Sequence, residues 1–487
     1  MNIHFDNTYA RLPERFYSSV KPEPSSKPET IAVDEALARQ LGFEPAWLTS
    51  EEGAQFVVGN SLLEGSEPIA LVYAGHQFGN WVPRLGDGRA VLIGEVLDES
   101  DERFDLQLKG SGRTPYSRRG DGRAPLGPIL REFLVAKAMA AMGIATTRVL
   151  AAASTGDTVL REQSLPGAVL VRVARSHLRI GTFEYFASKA DSEAIELLVD
   201  YAIDRHYPQL QPGSAIALFE AVADRTARLV AKWQLFGFIH GVMNTDNMLI
   251  CGETIDYGPC AFMNQYDPET VYSSIDRHGR YAYGNQPAIA QWNLSRFARS
   301  LLPAHDGEEQ QEQFLDRAQE VIDEFPEHFR DAYIGGMTEK LGFSSFQDED
   351  WELITDLLEL MYETNSDYTL AFRGLTELAD LEGKSTELFA LDDAFDPWLK
   401  RWRERLDVES IDPEKRHAKM AATNPVFIPR NHLVEEALQS AVEHQNYEPF
   451  HELEKILEDP FTYRSSHERF ARPPKPEERI AATFCGT

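Results

Sequence analysis

The chain has 487 residues, of which 43% are hydrophobic, and a formal net charge of −30 at pH 7. This length and hydrophobic content predict a large buried core divided into two or three subdomains, whereas the negative charge argues against a nucleic-acid-binding protein, because a polyanion would be repelled. No apolar run is long enough to span a membrane, the N-terminus lacks signal-peptide and transit-peptide features, and three cysteines are too few for a disulfide framework. We therefore expect a cytoplasmic protein.

The first 68 residues are predicted to form an N-terminal arm and extension, since residues 14–30 are rich in proline, serine and charge. From about residue 69 the pattern favours strands. A glycine-rich turn at 85–89 leads into a predicted strand at 90–97, and an acidic turn returns the chain as a second strand at 104–109. The two strands are expected to be neighbours in a sheet.

The second of these strands alternates between apolar and polar residues. Side chains two apart in a strand share a face of the sheet. The face predicted to enter the core carries Phe104, Leu106 and Leu108. The face left available to a ligand carries Asp105, Gln107 and Lys109.

Pro128 is predicted to open a helix over residues 129–142. Glu132 lies on the apolar stripe of that helix, and a buried carboxylate needs a cationic partner because an unpaired buried charge is costly. Lys109 is the predicted partner, and Lys137 is an alternative that the sequence leaves open. Apolar spacing also predicts a helix over 216–236 and further helices after residue 300, where most of the negative charge lies.

The segment 240–258 predicts a metal site. A hairpin that turns at 251–253 would pair Ile250 with Glu253 and Met248 with Ile255, and it would then set Asn247 beside Asp256. Hard cations that accompany nucleotide phosphates take oxygen ligands of this kind, one or two of them from the protein. The hairpin therefore predicts a site for phosphoryl or nucleotidyl transfer.

The spacing from His240 to Asn247 resembles the catalytic loop of protein kinases, and Asp256 with the two residues after it stands where kinases have Asp-Phe-Gly. The usual kinase base would lie two residues after His240, and Val242 occupies that position. A kinase that uses that aspartate as its base therefore cannot be inferred.

Two basic clusters stand out in this acidic chain. Glycines let backbone N–H groups approach phosphate oxygens, and guanidinium groups bind them with two hydrogen bonds. The first cluster is interleaved with glycines and contains Lys109, Arg113, Arg118, Arg119, Arg123 and Arg131. The second contains Arg172, Arg175 and Arg179. Together they predict a phosphate-binding surface.

Several segments resemble long motifs of one family. These segments are 75–79 (GHQFG), 85–90 (LGDGRA), 107–112 (QLKGSG), 114–118 (TPYSR), 121–124 (DGRA) and 240–248 (HGVMNTDNM). They are similar to the selenoprotein O family of kinase-like protein adenylyltransferases, over about residues 70–290, with 424–425 and 430–431 extending the match. The resemblance implies an α+β, two-lobed protein-kinase-like fold. It also implies that ATP is held in a flipped orientation and that AMP is transferred to Ser, Thr or Tyr hydroxyls of proteins.

Carried over residue by residue, the resemblance implies an ion pair between Lys109 and Glu132 and a proton acceptor at Asp246. It implies that Asn247 and Asp256 bind Mg²⁺ or Mn²⁺, with Lys109 and Asp256 also contacting ATP. The remaining nucleotide contacts that it implies are Gly86, Gly88, Arg89, Asp121, Gly122, Arg172 and Arg179.

The predicted organisation has four parts. They are the N-terminal arm and extension at 1–68, a kinase-like N-lobe at 69–170, a kinase-like C-lobe with the catalytic and metal-binding loops at 171–345, and an acidic helical C-terminal region at 346–487. Protein substrates are the expected partners of a monomer that binds neither nucleic acid nor membrane. Two alternatives stay open: an enzyme that transfers the γ-phosphoryl group, and a non-catalytic pseudokinase scaffold. The sequence does not determine whether ATP or UTP is preferred, and transfer of UMP is also open.

Cys485 lies third from the C-terminus, where some members of the family carry selenocysteine. Other members are known to pair that cysteine with one in the activation segment, but the corresponding stretch here, 271–276, has Tyr272 and no cysteine. Cys260 is then the plausible partner for a regulatory disulfide. We expect instead that Cys485 stays reduced and that activity depends little on reductant.

Overall fold

The structure, a computed structural model, describes residues 3–304, 307–379 and 387–483. Within these ranges the chain forms short and long strands that pair almost entirely in its first 180 residues. The strands are β1 His4–Phe5, β2 Tyr17–Ser19, β3 Glu29–Val33, β4 Ile69–Leu71, β5 Gly75–Gln77, β6 Asn80–Val82, β7 Ala90–Leu97, β8 Arg103–Lys109, β9 Ala124–Pro125, β10 Arg148–Leu160, β11 Ser164–Ala174, β12 Phe238–Ile239 and β13 Ala261–Phe262.

One large antiparallel sheet dominates the first part of the chain. Its strand order is β2-β4-β7-β8-β11-β10-β3, with β1 added on β7 and β9 on β11. The predicted strands at 90–97 and 104–109 are confirmed as the neighbouring pair β7 and β8. Two further antiparallel pairs, β5 with β6 and β12 with β13, lie outside this sheet.

Residues 14–30 do not form a separate arm. β2 pairs with β4 at one edge of the sheet, and β3, which starts at Glu29, pairs with β10 at the other edge. An extended segment has unpaired backbone N–H and C=O groups, and a sheet edge offers them partners. The N-terminal extension therefore covers both edges of the sheet.

The helices lie mostly in the second half of the chain. They are α1 Glu35–Gln40, α2 Pro45–Leu48, α3 Glu51–Val57, α4 Leu126–Ala141, α5 Ile180–Ala187, α6 Ser192–His206, α7 Ala215–Phe236, α8 Gln286–Leu301, α9 Gly307–Lys340, α10 Asp350–Glu363, α11 Tyr368–Leu378, α12 Asp396–Asp407, α13 Pro413–Thr423, α14 Asn431–His444, α15 Glu448–Leu457 and α16 Glu468–Ala471. The predicted helices at 129–142 and 216–236 are α4 and α7. No helix in the described ranges is both long and apolar enough to cross a membrane.

The two faces of the large sheet have different roles. Leu106 and Leu108 of β8 are fully buried in a core that also contains Phe43 and Phe56, from the segments of α1 to α3. Gln107 and Lys109 point to the other face, where α4 crosses the sheet. The alternation predicted for β8 is therefore confirmed, and the expected α+β class agrees with this mixed architecture.

Helix α4 joins the sheet to the C-terminal helices. Arg131 donates hydrogen bonds to the Cys260 carbonyl (2.6 Å) and to Asn431 Oδ1 (2.8 Å). Lys137 lies 2.7 Å from both Glu454 and Glu458. Lys137 therefore pairs with acids in and just after α15 and not with Glu132. Arg131 is a structural residue rather than part of a phosphate-binding cluster.

Candidate active site

A cavity of about 600 Å³ lies between β7, β8, α4 and the segment that follows β12. Its lining brings together residues that are far apart in the chain, from Tyr73 to Ile275. The residues to which the resemblance gives a role in the site all line it, namely Gly86, Gly88, Arg89, Lys109, Asp121, Gly122, Glu132, Arg172, Arg179, Asp246, Asn247 and Asp256. The structure thus places the predicted site residues in one space, and their individual roles stay predictions.

The predicted hairpin between Asn247 and Asp256 is wrong. Leu249 bridges to Arg179, and Thr254 bridges to Thr146. The backbone N–H of Ile250 donates to the Leu178 carbonyl at 2.9 Å. The two halves of the segment lie between the end of α4 and the start of α5, and these neighbours supply the backbone partners that the hairpin would have supplied. Asn247 and Asp256 reach the cavity by this route instead.

Four charges form a network on the cavity wall, three of them buried and the fourth, Asp256, 30% exposed. Lys109 Nζ lies 2.5 Å from Glu132 Oε2 and 2.9 Å from Asp256 Oδ1. Arg172 Nη2 lies 2.6 Å from Glu132 Oε1 and 2.6 Å from Asp256 Oδ1. The pair proposed from the sequence is thus at ion-pair distance, but each carboxylate contacts two cations. The sequence did not predict that Arg172 would pair with Glu132 and Asp256.

The alternation of β11 is the signal that reveals this second cation. Leu170 lies opposite Lys109 and Arg172 lies opposite Gln107 in the paired strands. Residues two apart in a strand share a face, so Arg172 must point to the same side of the sheet as Lys109. Val171 and Val173 point into the opposite core.

The network controls the ionisation of its acids. Burial alone would raise the pKa of Glu132, but Arg172 and Lys109 outweigh burial and lower the pKa below its usual value. At Asp256, burial again favours a higher pKa, but Arg172 and Lys109 outweigh it and hold the pKa well below its usual range. Both groups are therefore carboxylates at neutral pH. Asp256 also has a left-handed backbone, with φ of 66°, which is uncommon for a residue other than glycine.

Asn247 and Asp256 suit a hard cation. Asn247 Nδ2 donates to the Val242 carbonyl (2.9 Å), which leaves the side-chain oxygen for another partner. Lys109 and Arg172 both bond Asp256 Oδ1, and Oδ2 accepts no hydrogen bond from the described residues. These ranges contain no group of three or more His, Cys, Asp or Glu that could hold a metal. The oxygens fit Mg²⁺ or Mn²⁺ only if nucleotide phosphates and water complete the coordination.

Asp246 is buried and only partly satisfied. Gln77 Nε2 donates to its Oδ2 at 3.3 Å, whereas Oδ1 is buried without a hydrogen-bond partner among the residues described. Burial raises the pKa of Asp246 to about 6, so the carboxyl group is mostly ionised at neutral pH. Arg179 holds the backbone of this residue through its carbonyl (3.0 Å). An ionised carboxylate with a free oxygen can accept a proton.

The β5–β6 hairpin covers the loop that carries Asp246. The N–H of His76 donates to Thr245 Oγ1 (2.7 Å), and the N–H of Phe78 donates to Asn244 Oδ1 (2.9 Å). Gln77 between them reaches Asp246. Sequence reasoning used this segment only as a motif and missed Gln77, because nothing local connects residues separated by 169 positions.

Gly75 is required by its distance to the same side chain. A Cβ atom at this position would lie 2.4 Å from Asp246 Oδ1 and 2.9 Å from its Cγ. Gly75→Ala should therefore displace the Asp246 side chain and lower turnover at least about tenfold, with little effect on nucleotide affinity. Steady-state kinetics and nucleotide titration test this expectation. Gly335→Ala is the control, since its Cβ would meet nothing within 4 Å, and equal activity of both variants would contradict the prediction.

His240 connects the loop that carries Asp246 to the segment that carries Asp256. It is fully buried, and its Nε2 lies 2.9 Å from the Ile255 carbonyl. Burial lowers the pKa of His240 to about 4, so the ring is neutral and Nε2–H is the donor in this bond. The residue therefore positions the chain just before Asp256 and is not a proton carrier.

The remaining residues that were predicted to surround the phosphates differ in position. Arg179 lines the cavity with its guanidinium 4.3 Å from the Tyr73 ring, and Asp121 is bound at two oxygens by Arg161. In contrast, Arg175 is exposed and pairs with Glu102. Arg161 and Tyr73 are cavity residues that sequence reasoning missed.

The cysteines are only partly described. Cys251 and Cys260 are buried, and Cys260 Sγ lies 3.4 Å from the Tyr257 carbonyl. Cys485 lies outside the described residues, so its predicted reduced state stays a prediction. Thr483 donates its N–H to the Tyr272 carbonyl at 2.7 Å, which places the end of the described chain beside the segment where a partner cysteine had been sought.

Comparison with known proteins assigns the family. Residues 1–458 match the family described as "Protein adenylyltransferase SelO". The "Protein nucleotidyltransferase YdiU" of Nitrobacter hamburgensis is 53% identical over the whole chain and 96% of its own length. The protein of the same name from Rhodopseudomonas palustris strain BisB5 is 51% identical over the full length of both chains. The one from Rhizobium etli is 50% identical over 99% of this chain and 97% of its own length.

The chain belongs to the SelO family. It is therefore a nucleotidyltransferase, an enzyme with a nucleotide substrate, as the resemblance of its motifs had indicated. The part that matches the SelO family contains every predicted cavity residue and ends before Cys485.

Proposed function

We propose that this enzyme transfers AMP from ATP to Ser, Thr or Tyr hydroxyls of other proteins in a metal-dependent reaction. One observation carries the proposal: Asp246, with a free buried oxygen, lies next to Asn247 in the cavity that Asp256 also lines, while Val242 occupies the position of a kinase base. A base that does not occupy the kinase position is compatible with attack at a different phosphorus. The predicted kinase-like lobes at 69–170 and 171–345, flanked by 1–68 and 346–487, are part of the same proposal.

In the proposed reaction the acceptor oxygen forms a bond to the α-phosphorus of ATP, and the bond from that phosphorus to the pyrophosphate oxygen breaks. The acceptor proton moves to Asp246 Oδ1. Asn247 and Asp256 would hold the Mg²⁺ or Mn²⁺ ion, which neutralises phosphate charge when it is bound. Cavity cations such as Arg179 and Arg89 stabilise the charge that develops on the leaving pyrophosphate.

Two alternatives are weaker. Transfer of the γ-phosphoryl group is favoured by the spacing from His240 to Asn247 but opposed by Val242. A non-catalytic scaffold is opposed by the four-charge network and by the raised pKa of Asp246, because neither is needed to bind a nucleotide passively. We also propose that the enzyme is cytoplasmic and monomeric.

The decisive experiment uses ATP labelled at either the α or the γ phosphate, with a mixture of acceptor proteins. We expect protein-bound α label and no γ label. Asp246→Asn should lower α-label transfer at least about 10²-fold while ATP affinity stays within a few-fold, since the amide keeps the shape but cannot accept the proton. Protein-bound γ label would support a kinase, and the absence of both labels would support a scaffold.

A further inference from the structure

Arg280 has an unusual environment outside the cavity. Its Nε and Nη2 atoms are buried and have no hydrogen-bond partner in the described part of the chain. The nearby carboxylate of Asp276 is occupied, because it accepts the backbone N–H groups of Arg280 (2.9 Å) and Tyr281 (2.7 Å). The guanidinium contacts the Tyr281 side chain. A buried donor without an acceptor is costly, and Nε and Nη2 still lack an acceptor from the described residues.

Aromatic side chains surround this cation. The Arg280 guanidinium lies 4.7 Å from the Trp292 ring, and Arg296 stacks on the same ring at 5.1 Å. The His76 ring lies 5.4 Å from Trp292 and 5.0 Å from Trp81, which is 40% exposed. Glu184, the other acid in this region, is occupied by His76 and Thr245. The surface therefore combines positive charge with exposed apolar area on a protein that is acidic as a whole.

The position of Arg280 relates it to the proposed reaction. A Cβ atom on Gly79 would lie 3.4 Å from the Arg280 Cζ, so the guanidinium packs on the tip of the hairpin whose Gln77 contacts Asp246. The neighbouring Tyr281 donates to Asn244 Oδ1 (2.7 Å), in the same loop as Asp246.

The surface also adjoins the cavity without forming part of it. Phe78 and the 58% exposed Ile275 line the cavity, whereas Arg280 and Trp292 are not part of its lining. A ligand that contacts Arg280 therefore approaches Asp246 from outside the nucleotide space.

We propose that Arg280 binds a carboxylate of the acceptor protein, from an Asp or Glu close in sequence to the acceptor hydroxyl. Trp81, Trp292 and Ile275 provide the apolar surface on which the same segment lies. The fork of a guanidinium matches the two oxygens of a carboxylate, and the net charge of −30 disfavours the approach of acidic segments to much of the remaining surface. This inference rests on the proposed function, because it assigns the region outside the cavity to the protein substrate.

The test uses three sets of synthetic peptides in which a central Ser, Thr or Tyr is flanked on each side by two glutamates, two glutamines or two lysines. Transfer of α label from ATP is measured for each set with the full-length enzyme. We expect kcat/KM for the glutamate set to exceed that for the glutamine set at least about tenfold, with the lysine set the poorest. Arg280→Gln should remove this preference by raising KM for the glutamate set, and it should leave KM for ATP unchanged.

Two further variants make the result specific. Arg280→Lys keeps the charge but loses the fork and should retain part of the preference. Arg277→Gln, an exposed residue three positions earlier, should retain all of it. A preference that persists in Arg280→Gln, or that disappears equally in Arg277→Gln, would overturn the proposal.

The outcomes separate this inference from the proposed function. If α label enters the enzyme itself or any peptide but the glutamate set has no advantage, only the inference fails. If α label enters no protein or peptide, the proposed function fails as well. If Arg280→Gln does not fold, the wild-type enzyme is tested with an inhibitor instead, a glutamate peptide in which Ala replaces the acceptor residue. It should compete with the acceptor peptide and not with ATP, and the absence of competition would overturn the inference.

Discussion

Asp256→Ala should reduce nucleotidyl transfer about 10³-fold and remove the metal dependence of nucleotide binding. The substitution deletes the charged oxygen ligand that we propose for the cation, and the negative charge of the triphosphate is then left without its main counterion. It also leaves Lys109 and Arg172 with Glu132 as their only partner in the network. Transfer of α label at saturating Mg²⁺ or Mn²⁺, together with calorimetric titration of ATP with and without metal, measures both effects.

Asp256→Asn is the matched control for shape. Asparagine tolerates the left-handed backbone that residue 256 adopts, so this variant changes the charge with little strain. We expect it to lose nearly as much activity as the alanine variant while it unfolds at a higher temperature. Asn247→Ala should have a smaller effect on activity, because a neutral ligand contributes no charge. Near-normal activity of Asp256→Ala at saturating metal would remove this residue from the metal site.

Glu132→Ala should destabilise the fold by about 3–5 kcal/mol, since it leaves two buried cations with one carboxylate. Lys109→Ala should also be destabilising, because it removes one of the two cations bonded to each acid. The double variant should be less destabilised than the sum of the two, with a coupling of about 1–3 kcal/mol. Denaturant unfolding of the four proteins gives this cycle, and α-label transfer measured on the same samples shows whether activity follows the same coupling.

Lys137 and Glu454 provide the control cycle. They form a partly buried ion pair at 2.7 Å, and Lys137 lies on the same helix as Glu132 but away from the cavity. We expect this pair to show a smaller coupling in stability and nearly unchanged activity in each single variant. Simple additivity of Lys109→Ala and Glu132→Ala would mean that Arg172 alone compensates Glu132.

Much of this arrangement could be predicted from the sequence, because it depends on neighbouring residues. The alternation of Phe104, Leu106 and Leu108 predicts a strand with one buried face whatever the strand packs against. The apolar period of 216–236 predicts the long helix α7 in the same way. A carboxylate on an apolar stripe requires a cation, which is why a cationic partner for Glu132 could be predicted, with Lys109 as the candidate and Lys137 left open.

The choice between distant partners was decided only by the tertiary structure. Asn247 and Asp256 are not joined by a hairpin. The backbone groups of the residues between them form hydrogen bonds with the segments at 145–147 and 178–180 instead of with each other. Arg131, which was predicted to bind phosphate, instead binds Asn431 and Glu435 of helix α14.

The same holds for the partners of the acids that line the cavity. Arg172 enters the network through the pairing of β11 with β8, and Gln77 reaches Asp246 through a hairpin 169 residues away in the chain. Local patterns determine which faces of an element are buried. Which cation pairs with which acid depends on packing between elements far apart in sequence. The periodicity of a single strand or helix cannot predict that packing.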